Sequence, residues 1–220
     1  MPMALGLSGM ALAAALKAAG IEVMAGVMAS EARQNLAGFL SRMNRGGPFV
    51  TLKIASTLDG QIAMADGSSR WITGEIARAH SHVERARSDA ILVGAGTVRA
   101  DAPQLTVRLA GLETMQPRKV MLGSGEAPEG WEVIRAPSEI AHLDCNTLFV
   151  EGGTATATAF LREGLVDRLM LYRAPILIGA GKACLSDIGL TQLGDAHGRW
   201  QISDSRSLGK DRLEVYESAQ

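Results

Sequence analysis

Between Phe49 and Ala55 apolar and polar positions alternate, with Val50, Leu52 and Ile54 on one side and Thr51, Lys53 and Ala55 on the other. A period of two predicts a strand with one apolar face and one face carrying a hydroxyl and an amine. From Glu75 to Ser88 the spacing becomes helical: Ile76, His80, Val83 and Ala86 share a face, with Arg78 and Arg85 turned elsewhere. Ala90 to Val93 is an unbroken apolar run of the kind buried on both faces of a sheet, and Thr147 to Val150 is another. Each run meets small residues at once. The first leads into Gly94-Ala95-Gly96-Thr97, the second into Glu151-Gly152-Gly153 and then Thr154-Ala155-Thr156-Ala157. A strand that runs into such a turn and then a helix start can offer backbone N–H groups to phosphate. In an open α/β sheet, ligands bind beyond the carboxyl ends of the strands, where both turns would lie. Gly94-x-Gly96-x-x-Arg99 departs from the dinucleotide fingerprint, because Arg99 stands where a third glycine would allow close packing. Gly179-Ala180-Gly181 is a third candidate turn and reads equally as a plain loop.

The remaining pattern completes a sheet. Lys119 to Leu122, Trp131 to Ile134 and Val166 to Tyr172 read as strands, and Trp200 to Ser205 with Arg212 to Tyr216 as a terminal hairpin through Leu208-Gly209-Lys210. Strands alternating with helices, followed by antiparallel strands, indicate an α/β fold with a mixed sheet flanked by helices. Upstream, the pattern predicts a helix ending at Gly20, a strand over Ile21 to Val27 and a helix capped by Ser30. Leu36, Phe39, Leu40 and Met43 form an apolar stripe expected to cover a surface, either on the main domain or across a dimer. Asn44-Arg45-Gly46-Gly47-Pro48 breaks the chain as a linker, giving an arm over 1–47 and a main domain over 48–220.

Composition narrows the function. Net charge is −1 and apolar residues make up 47% of the chain, with no basic stripe, so nucleic acid is not an expected partner. The Ala- and Met-rich start is too short and too interrupted by glycine for a membrane span, so no membrane is expected either. Two isolated cysteines, Cys145 and Cys184, suit a reducing cytoplasm. No Pro-Cys-x-x-Cys occurs, and His80 and His82, two apart on a helix, point to different faces, so no metal site is expected.

The runs TLKIASTLDGQIAMADGSSRWITG, RARSDAILVGAGTVRADAPQLTVR and LFVEGGTATATAFL closely resemble the reductase domain of the bifunctional riboflavin-biosynthesis deaminase/reductase. The resemblance covers the chain from about Pro48 onward. It implies a dihydrofolate-reductase-like fold and reduction, by NADPH, of 5-amino-6-(5-phosphoribosylamino)uracil to the ribitylamino compound. By the same match Ser69, Arg85, Leu105, Arg108 and Glu151 meet substrate. Ala55, Trp71, Thr97, Asp101, Ser124 and the residues Gly153, Thr154, Ala155, Thr156, Ala157, Thr158 and Ala159 meet NADPH. Asp101-Ala102-Pro103 stands where the family commonly has Asp-Asp-Pro, so one acidic neighbour is lost. The arm resembles the end of the family's deaminase domain, whose catalytic part is missing. That is consistent either with a truncated chain or with an arm that has outlived a lost domain, and it leaves room for a separate deaminase. As residues alone, Lys53 reads equally as a solvated edge lysine and as a proton donor. The implied place of Glu151 at the substrate favours Lys53 and Glu151 as the catalytic pair. A cytoplasmic homodimer is expected. Two rivals stay open: a pterin reductase of the same fold, and a non-catalytic nucleotide-binding module.

Overall fold

The computed structural model describes residues 9–219. The chain divides into two compact units, Met1–Ala37 and Gly38–Gln220. The first holds α1 (Gly9–Ala18) and α2 (Ala29–Asn35). Residues 21–26 form no strand, which corrects the expectation for Ile21 to Val27. Nor does Ser30 cap a helix: α2 already begins at Ala29, after Met28 in the left-handed region at φ 49°, with no side-chain cap. The part of the expected first helix in residues 1–8 lies outside the described residues.

Helix α3 (Ala37–Arg45) belongs, but for its first residue, to the larger unit, so the division falls ten residues before the expected boundary between residues 47 and 48. Its seat is not the apolar stripe. Phe39 and Met43 are 52% and 65% exposed, whereas Gly38 and Ser41 are buried. A Cβ on Gly38 would come within 2.8 Å of Asn146 O, so the helix backbone lies directly on the chain before the strand at Thr147. Arg42 donates to the carbonyls of Gly46, Ala141, Leu143 and Cys145, and Arg45 pairs with Asp167 at 2.6 Å. Close approach and a guanidinium surrounded by carbonyls hold α3, with Leu40 of the stripe half-buried and Phe39 and Met43 left exposed.

The sheet is built from β1 (Phe49–Ser56), β3 (Ala90–Gly94), β4 (Arg118–Leu122), β5 (Glu132–Ile134), β6 (Thr147–Val150), β7 (Arg168–Arg173), β9 (Trp200–Leu208) and β10 (Asp211–Ser218). Their order is β5-β4-β3-β6-β1-β7-β10-β9, parallel as far as β7 and antiparallel at β10 and β9. β2 (Gln61–Met64) and β8 (Gly181–Ala183) form a small antiparallel pair that the pattern did not predict. Gly179 is tied by its N–H to Asp59 Oδ2 at 2.6 Å, so the third glycine turn is a stapled loop.

Alternation within the strands sends side chains to two cores. Val50, Leu52, Ile54, Leu92, Leu148 and Val150 pack with Phe160 and Leu161 of α6 (Thr154–Arg162). Ile91, Val93, Phe149, Met170 and Tyr172 pack on the other face with Ala77 of α4 (Glu75–Ala86). Helix α4 is rotated from the expected face: Ile76 is 56% exposed, and Ala77, Ser81 and Ala86 are buried. α5 (Ala95–Asp101) starts directly from β3. No described helix is long and apolar enough to cross a membrane.

Candidate active site

Strand register builds the site. β1 and β6 are parallel with Leu52 opposite Val150, so Lys53 and Glu151 are each one step further along neighbouring strands. Lys53 Nζ stands 3.9 Å from Glu151 Oε2 on the α4 side of the sheet, the less apolar face expected for it. From α4, Arg85 closes on the same carboxylate with two bonds, Nε to Oε1 at 2.6 Å and Nη2 to Oε2 at 2.9 Å. Burial opposes ionisation of Glu151, but Lys53 and Arg85 outweigh it and hold the carboxyl below its ordinary value. Burial likewise opposes charge on Arg85, and its bond to Glu151 carries the guanidinium above its ordinary value. The result is a desolvated carboxylate between two cations, one of them bidentate.

The glycine turns come together by the same logic. β3 and β6 pair with Leu92 opposite Val150, so Gly94 and Gly152 each lie two steps beyond. Thr156 is lodged between them: a Cβ on Gly94 would lie 2.4 Å from its Oγ1, and one on Gly152 2.4 Å from its Cβ. Two glycines and a threonine therefore lock β3, β6 and α6 at contact distance. Gly153 and Gly96 are different, since a Cβ on either would meet nothing within 4 Å. α6 has no side-chain cap at its N-terminus, and its first N–H groups lack intrahelical acceptors. Beside these turns, Gly94 is opposite Leu122 of β4, which brings Gly123 and Ser124 to the same level. Small residues, open space at Gly96 and Gly153, and uncapped N–H groups fit the phosphates of a dinucleotide.

Of the expected cofactor residues, Gly153, Thr154, Ala155, Thr97 and Ser124 lie in these turns or in the first turn of the helix that follows, with Ala155 and Ser124 exposed. Asp101 is exposed and is the last residue of α5, at the end away from the Gly94 turn. Thr156, Ala157 and Thr158 turn inward: Ala157 is in the core and Thr158 Oγ1 accepts the N–H of Ser186 at 2.9 Å. Ala159 is half-buried on the same helix, and Ala55 is half-buried on β1 two residues beyond Lys53. Trp71 is 67% exposed, with the Arg78 guanidinium 4.5 Å from its ring centroid.

Of the expected substrate residues, Ser69 is exposed and its carbonyl accepts the N–H of Ile72 at 3.1 Å. Leu105 is 5% exposed and packs in the α4-side core, and Arg85 is occupied by Glu151. Arg108 is exposed, with Nη1 donating to Gln104 Oε1 at 3.0 Å. The two histidines diverge as expected. His80 Nδ1 meets Tyr172 OH at 2.8 Å, and His82 Nδ1 accepts the N–H of Arg108 at 3.2 Å. His82-Val83-Glu84 has the His-x-Glu spacing of zinc deaminases, but no described cluster of His, Cys, Asp or Glu could hold a metal. His82 and Gln116 went unread as site residues. The signal for His82 was its place three residues before Arg85 on one helical face; Gln116 gave none.

The sequence matches the family described as RibD C-terminal domain over residues 48–139 and 132–213. It is 40% identical over 219 residues to the riboflavin biosynthesis protein RibD of Mycobacterium tuberculosis, covering 90% of this chain and 63% of that protein. It is 35% identical to RibD of Escherichia coli, covering 89% of this chain and 67% of that one. Among solved structures, Acinetobacter baumannii RibD superposes with a TM-score of 0.83 at 30% identity, over 97% of this chain and 69% of that one. The Thermotoga maritima deaminase/5-amino-6-(5-phosphoribosylamino)uracil reductase gives 0.78 at 28% identity, over 93% and 66%. The fold is dihydrofolate-reductase-like, as the sequence resemblance implied.

Proposed function

The chain belongs to the RibD C-terminal domain family, and on that premise we propose that it uses NADPH to reduce 5-amino-6-(5-phosphoribosylamino)uracil to 5-amino-6-(5-phosphoribitylamino)uracil in riboflavin biosynthesis. The observation that carries this reading is the Lys53–Glu151–Arg85 cluster, set at the carboxyl ends of parallel strands beside two glycine turns. When bound along those turns, the coenzyme supplies the hydride.

The chain's own residues do the rest. Glu151 attracts and aims the Lys53 ammonium, and Arg85 braces Glu151 so that the carboxylate does not swing with the lysine. Lys53 Nζ donates a proton to the nitrogen joined to the sugar carbon that is reduced, once the ribosyl ring has opened to the imine. A fixed donor where charge develops is worth more in a desolvated site than in water. Arg108 meets the substrate phosphate as a cation with no carboxylate partner among the described residues. Ser69 and Leu105 border the substrate. Trp71, Ala55, Thr97, Asp101, Ser124 and the start of α6 hold the coenzyme, with Trp71 excluding water. A cytoplasmic homodimer goes with this reading.

The test is NADPH oxidation followed by absorbance, with the phosphorylated ribosylaminopyrimidine and a dihydropterin as parallel substrates and NADH as parallel reductant. Turnover of the first substrate with NADPH is expected. Turnover of the pterin alone, or binding without turnover of either, overturns the reading.

A further inference from the structure

Arg108 is carried by a stretch of chain that no strand holds, since residues 102–108 are irregular. Val107 anchors it, at 2% exposure. Its backbone groups are met one after another by side chains. Arg85 Nη1 donates to Thr106 O at 3.1 Å. Gln116 takes both groups of Val107, its Oε1 accepting the N–H at 2.9 Å and its Nε2 donating to the carbonyl at 3.0 Å. His82 Nδ1 accepts the N–H of Arg108 itself at 3.2 Å. Gln116 thus pairs with Val107 as a neighbouring strand would, and Gln116 Nε2 is itself fixed on Glu113 O at 2.7 Å. These bonds stand in for a missing sheet edge, because buried backbone groups require partners. They also fix where the Arg108 Cα sits relative to α4, and hence to Glu151, which Arg85 ties to the same helix.

We propose that His82 and Gln116 are positioning residues that hold Arg108 at the distance from Lys53 and Glu151 that a sugar-phosphate substrate spans. This rests on the phosphate role proposed for Arg108. Neither side chain needs to touch substrate. His82 acts through the backbone of Arg108, and Gln116 through that of Val107. The chemistry demanded of His82 is specific: an unprotonated Nδ1 facing a backbone N–H. An asparagine, whose Oδ1 falls near the position of Nδ1, can supply the same acceptor, and a leucine of similar bulk cannot.

The experiment measures KM and kcat for the phosphorylated substrate and its dephosphorylated form in His82→Leu, His82→Asn, Gln116→Leu, Arg108→Ala and the double variant His82→Leu/Arg108→Ala. His82→Leu and Gln116→Leu should each raise KM for the phosphorylated substrate about tenfold. KM for the dephosphorylated form should move far less, and kcat should fall less than KM rises. His82→Asn should recover most of the discrimination. The double variant should discriminate no worse than Arg108→Ala alone, since His82 has nothing left to position. If Arg108→Ala still prefers the phosphorylated substrate as wild type does, the role of Arg108 itself is wrong. If Arg108→Ala loses that preference while His82→Leu and Gln116→Leu keep it, the positioning proposal is overturned. Additive losses in the double variant overturn it as well, because His82 would then contact substrate directly. Should His82→Leu fail to fold, His82→Asn and Gln116→Leu decide the matter by the same ratio.

Discussion

Helices α4 and α6 cover opposite faces of one sheet, and both serve the turn after β6: α4 sends Arg85 to Glu151, and α6 starts at Thr154. They are built by opposite means. α4 reaches outward with long polar side chains: Arg78 to Trp71, His80 to Tyr172, His82 to Arg108 and Arg85 to Glu151. α6 reads TATATAFLR and carries only the short hydroxyls of Thr154, Thr156 and Thr158 before Arg162, so its backbone comes close, with Thr156 pressed between Gly94 and Gly152. The difference teaches how one site handles two ligands. Fixed charges at defined distances suit a reacting substrate, whereas close backbone and N–H groups suit a phosphate chain that only needs to be held. It also separates the failure modes. Damage to α4's partners should show as misplaced charge, and damage at α6 as lost contact distance.

The largest effect should come from Glu151→Gln, which keeps shape and removes the charge that faces both Lys53 and Arg85. Breaking a buried pair in this way costs on the order of 3–5 kcal/mol, because the remaining cations are left uncompensated. Urea denaturation should show that loss, with turnover falling alongside it. Stability within experimental error of wild type would mean that water already neutralises the cluster. Next is Lys53→Met, which should lower turnover about a hundredfold or more at saturating substrate while NADPH affinity stays unchanged. Wild-type turnover in that variant would return Lys53 to the reading of a solvated edge lysine.

The α6 side of the comparison is tested by a pair of neighbouring glycines. Gly152→Ala sets a Cβ 2.4 Å from Thr156 Cβ and should cost about 1–3 kcal/mol of stability through overpacking. Gly153→Ala meets nothing within 4 Å and has an ordinary φ of −76°, so stability should hold while NADPH affinity falls. Calorimetry with and without NADPH reads both. Equal loss of stability in the two variants would break the distinction between a packing glycine and a ligand glycine.

Much of this was legible in the sequence because strand signals are local. The β1 alternation and the apolar runs of β3 and β6 end within a residue of where they were expected, and parallel register then carries Lys53 to Glu151 and Gly94 to Gly152. Helix faces were harder to read, for one shared reason. α3 and α4 both sit on small residues, Gly38 with Ser41 and Ala77 with Ser81, and leave Phe39, Met43 and Ile76 outside. A search for large apolar side chains at helical spacing finds the wrong face when close approach governs the contact. The β2–β8 pair and the side-chain bracing of residues 106–108 depend on partners distant in the chain, which no local period announces.

The smallest effect is a pH dependence confined to α4. Arg206 Nη2 donates to His80 Nε2 at 2.8 Å, so that nitrogen carries no proton and Nδ1–H donates to Tyr172 OH. Burial, with help from Arg206 and Arg87, holds His80 below the ordinary value of 6.5 against the opposing pull of Glu84. Burial and the neighbouring Arg85 and Arg108 do the same to His82. Both histidines therefore stay neutral in the folded protein at a pH where the unfolded chain has begun to bind protons. Their contribution to stability is whole above about pH 6.5 and is lost as pH falls from there through the lower folded values. α6 has no titratable side chain before Arg162, so it should not respond. Hydrogen exchange on either side of that pH should show α4 amides losing protection in the acid sample, with α6 amides changing no more than the core strands. His80→Asn should flatten the α4 response in part, because one of its two titrating groups is gone. An equal loss in α6, or an α4 response that survives replacement of both histidines, would place the proton elsewhere and remove the contrast between the two helices.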